Sequence, residues 1–144
     1  MAKFSDEEQQ RIRKAIEEAE RNTSGQIRVC IEKNCPTEPL ARAAQYFKQL
    51  GMHKTKLRNG VLIYIATVDR KFAIVGDAGI DKVVPENFWN DTKEDMLNHF
   101  RYGDLIEGIV TGLKIAGEQL KKYFPHQSNG ANELPDDIAF MDKD

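Results

Sequence analysis

The sequence predicts an α/β fold, with a small mixed sheet between two helical layers in a three-layer α/β/α sandwich. Two apolar strand-like segments flank one helical segment, the pattern of a β-α-β unit with parallel strands and a right-handed crossover. A third strand follows after a short turn at Asp69 and Arg70, so we expect it to run antiparallel. Helical segments before and after the strands cover both faces of the sheet. The predicted order is α-β-α-β-β-α-α.

The first half of the chain contributes a helix, a strand and a second helix. Ser5 and Glu8 form a capping-box pattern, and apolar residues then recur at helical spacing, which predicts an amphipathic helix over residues 5–22. Residues 26–33 alternate between apolar and other side chains, as in a strand with one well-covered face. A second helical pattern follows and ends at Gly51.

The second half contributes two strands and two helices. Residues 61–66 are apolar on both faces, which is typical of a central strand. Residues 71–75 form the returning strand of a hairpin. Apolar residues at helical spacing predict helices over 86–100 and 105–123.

Length and composition indicate one soluble domain over residues 1–124, followed by a polar and acidic segment, 125–144, that we expect to be a flexible tail. A net charge of −2 does not favour a nucleic-acid partner. The first residues lack the apolar core of a signal peptide, and no apolar run reaches the ~20 residues that span a bilayer. We therefore expect a free-standing cytoplasmic domain with no membrane span. Cys30 and Cys35 are expected to be free thiols.

Strand directions bring polar residues to one edge of the predicted sheet, which we call the rim. The two parallel strands begin there, and the antiparallel strand ends there at Asp77. Asp81 follows within one turn, Asp104 opens the last helix and is expected to reach the rim, and Asp69 lies at the opposite edge. These carboxylates, with the amide oxygen of Asn59, suit a hard divalent cation, with calcium favoured and magnesium possible. The histidines and cysteines lack zinc-ligand spacing.

The same residues have a structural alternative. Asp77 or Asp81 could cap a short helix and Asp104 the last helix, each cap stabilising the fold by about 1 kcal/mol. Lys56 and Arg58, in the basic loop before the second strand, would hold a phosphate ester beside the metal or would simply be solvated charges. The sequence lacks a G-x-S-x-G elbow and a G-x-x-x-x-G-K loop, so it identifies no catalytic nucleophile.

Several short segments of the chain match a known family pattern in their order and spacing. They are Ser24-Gly25-Gln26-Ile27-Arg28-Val29, Arg58-Asn59-Gly60-Val61-Leu62-Ile63-Tyr64, Asp69-Arg70, Ala78-Gly79-Ile80-Asp81 and Phe100-Arg101-Tyr102-Gly103-Asp104. Together they resemble the TPM domain, which is named for a thylakoid lumen protein, a photosystem II repair protein and a nematode receptor modulator. The resemblance covers residues 5–124.

The resemblance implies an α/β/α sandwich that binds a divalent cation, calcium above all, in an acidic cleft. It carries ligand roles to Asp81 and Asp104 and matches Asn59 to the N-G before the central strand, whereas Asp77 lies in a loop one residue longer than the usual form. The family is often labelled a phosphatase, and some members act as accessory factors for membrane complexes. We therefore expect a cation-binding domain with weak phosphatase activity or, as the alternative, a non-catalytic module that binds a protein partner.

Overall fold

The computed structural model describes residues 4–126 and 137–142, which form a four-stranded mixed sheet covered by helices. The strands, ordered β3-β2-β1-β4 across the sheet, are β1 (Gln26–Glu32), β2 (Gly60–Ala66), β3 (Lys71–Gly76) and β4 (Ala139–Phe140). β1 pairs in parallel with β2 and β4, and β3 runs antiparallel to β2. Gln26 pairs with Gly60, and Val61 pairs with Gly76. Two strand starts and one strand end therefore share the rim, as the sequence predicted.

Apart from the short helix α3 and the start of α4, the helices begin and end close to the positions expected from the sequence. They are α1 (Asp6–Asn22), α2 (Pro39–Gln49), α3 (Ala78–Asp81), α4 (Asn90–Arg101) and α5 (Leu105–Lys121), with a short 3-10 helix at Met52–Lys54. The predicted capping box is present, because Glu8 N–H donates to Ser5 Oγ (3.1 Å) and Ser5 N–H donates to Glu8 Oε1 (2.8 Å). Within the described ranges no helix has the length and apolar character that a bilayer crossing requires.

Alternate residues of the central strands face two separate apolar cores. One core lies between the sheet and helices α1 and α5, and its buried members include Ile12, Ile16, Ile27, Val29, Ile63, Ile109 and Leu113. The other lies beneath α2, where Ala43 and Phe47 belong to the same buried cluster as Leu62. Both faces of β1 and β2 are covered, and β2, which is buried along its whole length, is accordingly a continuous apolar run. The predicted three-layer α/β/α sandwich is confirmed.

The segment before α4 differs from the sequence prediction. A helix was expected over 86–100, but α4 begins only at Asn90. The preceding residues instead form α3 and a turn in which Phe88 N–H donates to the carbonyl of Pro85 (3.0 Å). Asn90 N–H likewise donates to the carbonyl of Asn87 (3.1 Å), so this segment makes the i→i+3 hydrogen bonds of turns and not the i→i+4 bonds of an α-helix. This turn supports a pocket described below.

Residues 137–142, in the segment expected to be a flexible tail, lie against the edge of the sheet. Ala139–Phe140 forms β4 at the edge of the sheet, and Ile138 is buried. The ring of Phe140 lies edge to face with Phe4, at 5.9 Å between centroids. The few apolar side chains in an otherwise acidic segment explain this docking, because they supply the surface that is buried. Residues 127–136 and 143–144 of the predicted tail lie outside the described residues.

Candidate functional site: the rim of the sheet

Backbone hydrogen bonds tie the three strand termini of the rim together. Gln26 N–H donates to the carbonyl of Asn59 (3.2 Å), and Asp77 N–H donates to the carbonyl of Gly60 (2.9 Å). The loop before β2 and the loop after β3 therefore lie side by side. Asn59 and Asp77, which are far apart in sequence, are both buried in this region.

Asp77 is firmly engaged at the start of α3. Its Oδ1 accepts from Ala78 N–H (2.8 Å), so it caps the short helix, as the structural alternative anticipated. Arg58 donates to both carboxylate oxygens, from Nε to Oδ2 (2.7 Å) and from Nη2 to Oδ1 (2.8 Å). Burial alone would raise the pKa of Asp77, but the hydrogen bonds from Arg58 and Ala78 outweigh it and lower the pKa. Asp77 thus keeps little free capacity for another ligand.

A close backbone approach at Gly79 holds the two loops in place. Its N–H donates to the carbonyl of Arg58 (2.8 Å). A Cβ at this position would lie only 2.1 Å from the carbonyl oxygen of Leu57 and 2.6 Å from that of Arg58. No residue other than glycine fits here without moving the backbone. The geometry of the rim therefore depends on glycine at position 79.

Asn59 presents an unsatisfied polar atom at the rim. The side chain is 1% exposed, and its Nδ2 donates to the carbonyl of Ser24 (3.3 Å). Its backbone N–H donates to Thr55 Oγ1 (3.2 Å). The amide oxygen Oδ1, in contrast, is buried and has no hydrogen-bond partner among the described residues. A buried acceptor without a partner costs about 1–3 kcal/mol, so it marks a position where a ligand or ion can be accommodated.

Asp81 lies near Asp77 and carries an exposed carboxylate. Its pKa is raised, first by partial burial and then by the negative charge of Asp77. None of the ion pairs in the described part of the chain includes its carboxylate. Asp81 also lines a pocket of about 370 Å³. It is the rim carboxylate with the most free capacity for a ligand.

Asp104 does not share the rim, and the expectation that it does is wrong. The C-terminal end of α5 lies at the rim, because Ser24 N–H donates to the carbonyl of Phe124 (2.9 Å). The 17 residues of α5 span about 25 Å at 1.5 Å per residue, which places Asp104 near the opposite edge. Asp104 occupies the N-cap position of α5, but its side chain makes no capping hydrogen bond.

The basic loop before β2 contributes charge to the rim. Arg58 has a left-handed backbone (φ 52°), and its side chain is 50% exposed although it is paired with Asp77. Lys56 is exposed on the same loop. Sequence reasoning missed His53, which acts electrostatically on Asp77 and has a buried Nδ1 without a partner in the described ranges. Its position in the basic loop, close in sequence to Lys56 and Arg58, was the available signal.

The rim lacks the density of ligands that a preformed metal centre shows. No group of three or more His, Cys, Asp or Glu side chains within residues 4–126 and 137–142 is arranged to hold a metal ion. Any cation bound here would have to use amide, carbonyl and water oxygens beside the carboxylates. Calcium accepts such mixed oxygen ligands, whereas zinc favours closed sites of nitrogen and sulfur.

Comparison with known proteins decides the family. The family model described as the TPM domain matches residues 2–119. The chain belongs to the TPM domain family. No protein of the curated set compared with it matches.

Solved structures agree with this assignment. The NMR structure of BA42 from the psychrophilic bacterium Bizionia argentinensis is 42% identical to this TPM domain, covers 96% of each chain and has a TM-score of 0.91. The N-terminal domain of a protein from P. gingivalis is 19% identical, covering 88% of this chain and 82% of its own, with a TM-score of 0.68. The N-terminal domain of cg2496 from Corynebacterium glutamicum is 13% identical, covering 98% and 82%, with a TM-score of 0.62. The last two likenesses show the fold alone.

A second polar cluster of this TPM domain lies under α2 and surrounds the carboxylate of Glu32. Arg42 donates from Nε to Oε2 (2.8 Å) and from Nη2 to Oε1 (3.0 Å), and Tyr46 donates its hydroxyl to Oε1 (2.7 Å). The hydroxyl of Tyr64 donates to Oε2. Glu32 is 4% exposed. Every carboxylate oxygen of this cluster therefore has at least two donors.

Electrostatics in the Glu32 cluster follow from this geometry. Burial alone would raise the pKa of Glu32, but the hydrogen bonds from the guanidinium and the two hydroxyls outweigh it and lower the pKa. Burial raises the pKa of Tyr64, and the hydrogen bond to the carboxylate raises it further. Burial also raises the pKa of the Cys30 thiol to about 12. These groups keep fixed protonation states at neutral pH, as expected of a structural cluster.

Asp69 has a structural role at the edge opposite the rim. Its Oδ2 accepts from Cys35 N–H (2.7 Å), and its Oδ1 accepts from Asn34 Nδ2 (3.0 Å). These hydrogen bonds lower the pKa of Asp69. The carboxylate thus joins the β2–β3 turn to the loop after β1, in agreement with its separation from the rim residues.

Proposed function

We propose that the rim of this TPM domain binds a divalent cation, with calcium the best match to the available donors. The observation that carries the proposal is the buried, unpartnered Oδ1 of Asn59, in a loop that lies beside the one that carries Asp77 and Asp81. Asp81 supplies negative charge that no described residue neutralises. Together they offer oxygen ligands of the kind that calcium and, with more waters, magnesium prefer.

Asp77 takes a secondary part in this proposal. A carboxylate has about four lone-pair sites, and three donors already occupy those of Asp77. A cation that shares Asp77 must also lie near the positive charge of Arg58, which weakens binding. We therefore expect a dissociation constant on the order of 10⁻⁴–10⁻³ M, with waters completing the coordination.

Calorimetric titration of the full chain with calcium and magnesium tests the proposal. Asp81→Asn should weaken calcium binding about tenfold or more, because it removes the main free charge of the site. Asp104→Asn is the matched control, since it makes the same chemical change near the opposite edge, and it should leave the affinity unchanged. A wild-type affinity for Asp81→Asn, or a loss of binding in Asp104→Asn alone, would overturn the assignment.

We further propose weak phosphomonoester hydrolysis at the same rim. A bound divalent cation would polarise a phosphoryl oxygen. Lys56 and Arg58 would hold the remaining phosphate charge, and His53 is the nearby group that can accept or donate a proton. Turnover of p-nitrophenyl phosphate should require the metal, should fall with His53→Gln, and should persist in Asp104→Asn. Turnover that is insensitive to chelator would contradict this step.

A non-catalytic interaction module is the second candidate function. It is favoured by the mutual pairing of Arg58 and Asp77, which leaves neither group free for chemistry in the unliganded domain. In that case the rim would bind a protein partner without turnover. A stoichiometric partner captured from native extract by the wild-type domain, and lost with Asp81→Asn, would support this function over hydrolysis.

A further inference from the structure

A pocket beside the rim combines negative charge with an aromatic wall. It has a volume of about 370 Å³ and is lined by Asp81, Val84, Pro85, Glu86, Phe88 and Trp89. Asp81 ends α3, and the other five residues belong to the short segment that links α3 to α4. A pocket of this size lies within the range that small-molecule sites occupy, roughly 300–1,000 Å³.

The aromatic wall is held from behind by α5 and the residues after it. The ring of Phe88 lies edge to face with Trp89 (4.7 Å between centroids) and with Tyr123 (5.6 Å). The carbonyl of Phe88 accepts from Gln119 Nε2 (3.1 Å). Gln119 Oε1 in turn accepts from the hydroxyl of Thr92, at 2.5 Å. The pocket wall is therefore preorganised, which lowers the entropic cost of binding.

The two carboxylates of the pocket have no counter-ion. Asp81 and Glu86 are both exposed, and neither makes an ion pair within residues 4–126 and 137–142. The nearby negative charge of Asp77 adds to the local field at Asp81. A cationic ligand would relieve this repulsion, whereas an anionic or neutral ligand would not.

We propose that this pocket binds the alkylammonium group of an organic cation, such as a quaternary amine or a methylated lysine side chain. Aromatic rings attract such cations through their negative faces, by about 0.5–2 kcal/mol per contact. The methyl groups would pack against Val84 and Pro85, while Asp81 and Glu86 balance the charge. A calcium ion cannot use these apolar and aromatic groups as ligands, because it requires oxygen atoms.

This proposal does not depend on calcium binding at the rim, although both use Asp81. Glu86 and Trp89 belong to the pocket alone, and Asn59 belongs to the rim alone. Glu86→Gln should therefore weaken alkylammonium binding while calcium affinity stays at the wild-type value. If either calcium binding or alkylammonium binding fails, the other can still be measured.

The test uses the full chain with chelator present, titrated with choline and with a peptide that carries one trimethyllysine. Trp89 is the one tryptophan of the sequence, so its fluorescence reports directly on the pocket. We expect saturable quenching. The comparison of the peptide with choline shows whether a methylated side chain or a free quaternary ammonium compound is preferred. The neutral alcohol in which a tert-butyl group replaces the trimethylammonium group should bind at least about fivefold more weakly than choline.

Variants complete the test. Glu86→Gln and Asp81→Asn should each weaken binding about fivefold, and Trp89→Leu, followed by NMR amide shifts because the fluorophore is lost, should weaken it similarly. Glu118→Gln, an exposed carboxylate change on α5, is the matched control and should bind as the wild type does. Equal binding of the neutral alcohol and choline, wild-type affinity in the pocket variants, or no saturation with either cation would overturn the proposal.

Discussion

The rim and the Glu32 cluster are two regions of the same sheet that differ in how fully their polar side chains are paired. Glu32 is buried, and each of its oxygens accepts from the guanidinium of Arg42 and from a tyrosine hydroxyl. At the rim, the buried Oδ1 of Asn59 has no partner in the described part of the chain, and Asp81 is exposed without an ion pair. A saturated polar cluster rigidifies a fold, whereas an unsaturated one has donors or acceptors left for a ligand.

The largest expected effect comes from breaking the saturated cluster. Glu32→Gln replaces a buried acceptor by an N–H donor facing other donors, and leaves the partly exposed Arg42 without its counter-charge. Removing one partner of a buried ion pair typically costs about 3–5 kcal/mol. Denaturant unfolding followed by circular dichroism should show a loss of this size. Glu118→Gln, the exposed control, should stay within about 0.5 kcal/mol of the wild type, and an equally mild effect of Glu32→Gln would contradict the structural role.

Low pH should remove the contribution of Glu32 to the free energy of unfolding. Because its folded-state pKa is lowered, the carboxylate contributes stability that is present above the unfolded value, about 4.3, and is lost as the pH falls through the folded value. The gap in unfolding free energy between the wild type and Glu32→Gln should therefore be widest near neutral pH and should narrow in acid. A gap that stays constant across this range would show that packing, not charge, accounts for the difference.

A loss of stability of intermediate size is expected at Gly79, where the two loops of the rim approach each other closely. Gly79→Ala places a methyl group 2.1 Å from the carbonyl oxygen of Leu57, so the loops must separate. We expect a loss of about 1–3 kcal/mol in unfolding free energy, together with amide shifts confined to the rim. The neighbouring exposed change Ala78→Ser should have little effect on either measurement. A tolerated Gly79→Ala would show that the rim is not held by this approach.

The smallest expected effect is a gain in unfolding free energy, whereas the other variants lose stability. The pKa of Asp81 is raised, so the protonated side chain favours the folded state. This contribution to stability is lost as the pH rises through the folded-state pKa. Asp81→Asn should therefore slightly stabilise the metal-free domain near neutral pH, by no more than about 0.5 kcal/mol because the carboxylate is exposed and screened. The gain should vanish in acid and shrink in high salt. A destabilised Asp81→Asn would indicate a structural role for this carboxylate.

The sequence predicted the rim because strand direction follows from simple rules. Alternation identified β1, continuous apolar character identified β2, and the short turn after β2 required β3 to return. These rules alone bring Asn59 and Asp77 to one edge. The capping role of Asp77 was also anticipated, since aspartate before a short helix is a common N-cap.

Other features depend on tertiary geometry that the sequence patterns did not contain. The sequence prediction placed Asp104 at the rim. However, α5 is long enough to carry its two ends to opposite edges of the sheet. The Glu32 cluster joins residues from β1, α2 and β2, with only the helical spacing of Arg42 and Tyr46 visible beforehand. The edge strand β4 was missed because two paired residues leave no periodic pattern.

The most direct test of the contrast between the two regions is an NMR titration of the ¹⁵N-labelled chain with calcium. We expect saturable shifts at the side-chain amide of Asn59 and in the segment 76–82, with no shifts around Glu32 or Asp104. Asn59→Ala, checked for folding by circular dichroism, should weaken the response. Shifts that appear at Glu32 or Asp104 while the rim stays unchanged, or no shifts at millimolar calcium, would contradict the claim that the unsatisfied rim is the binding site.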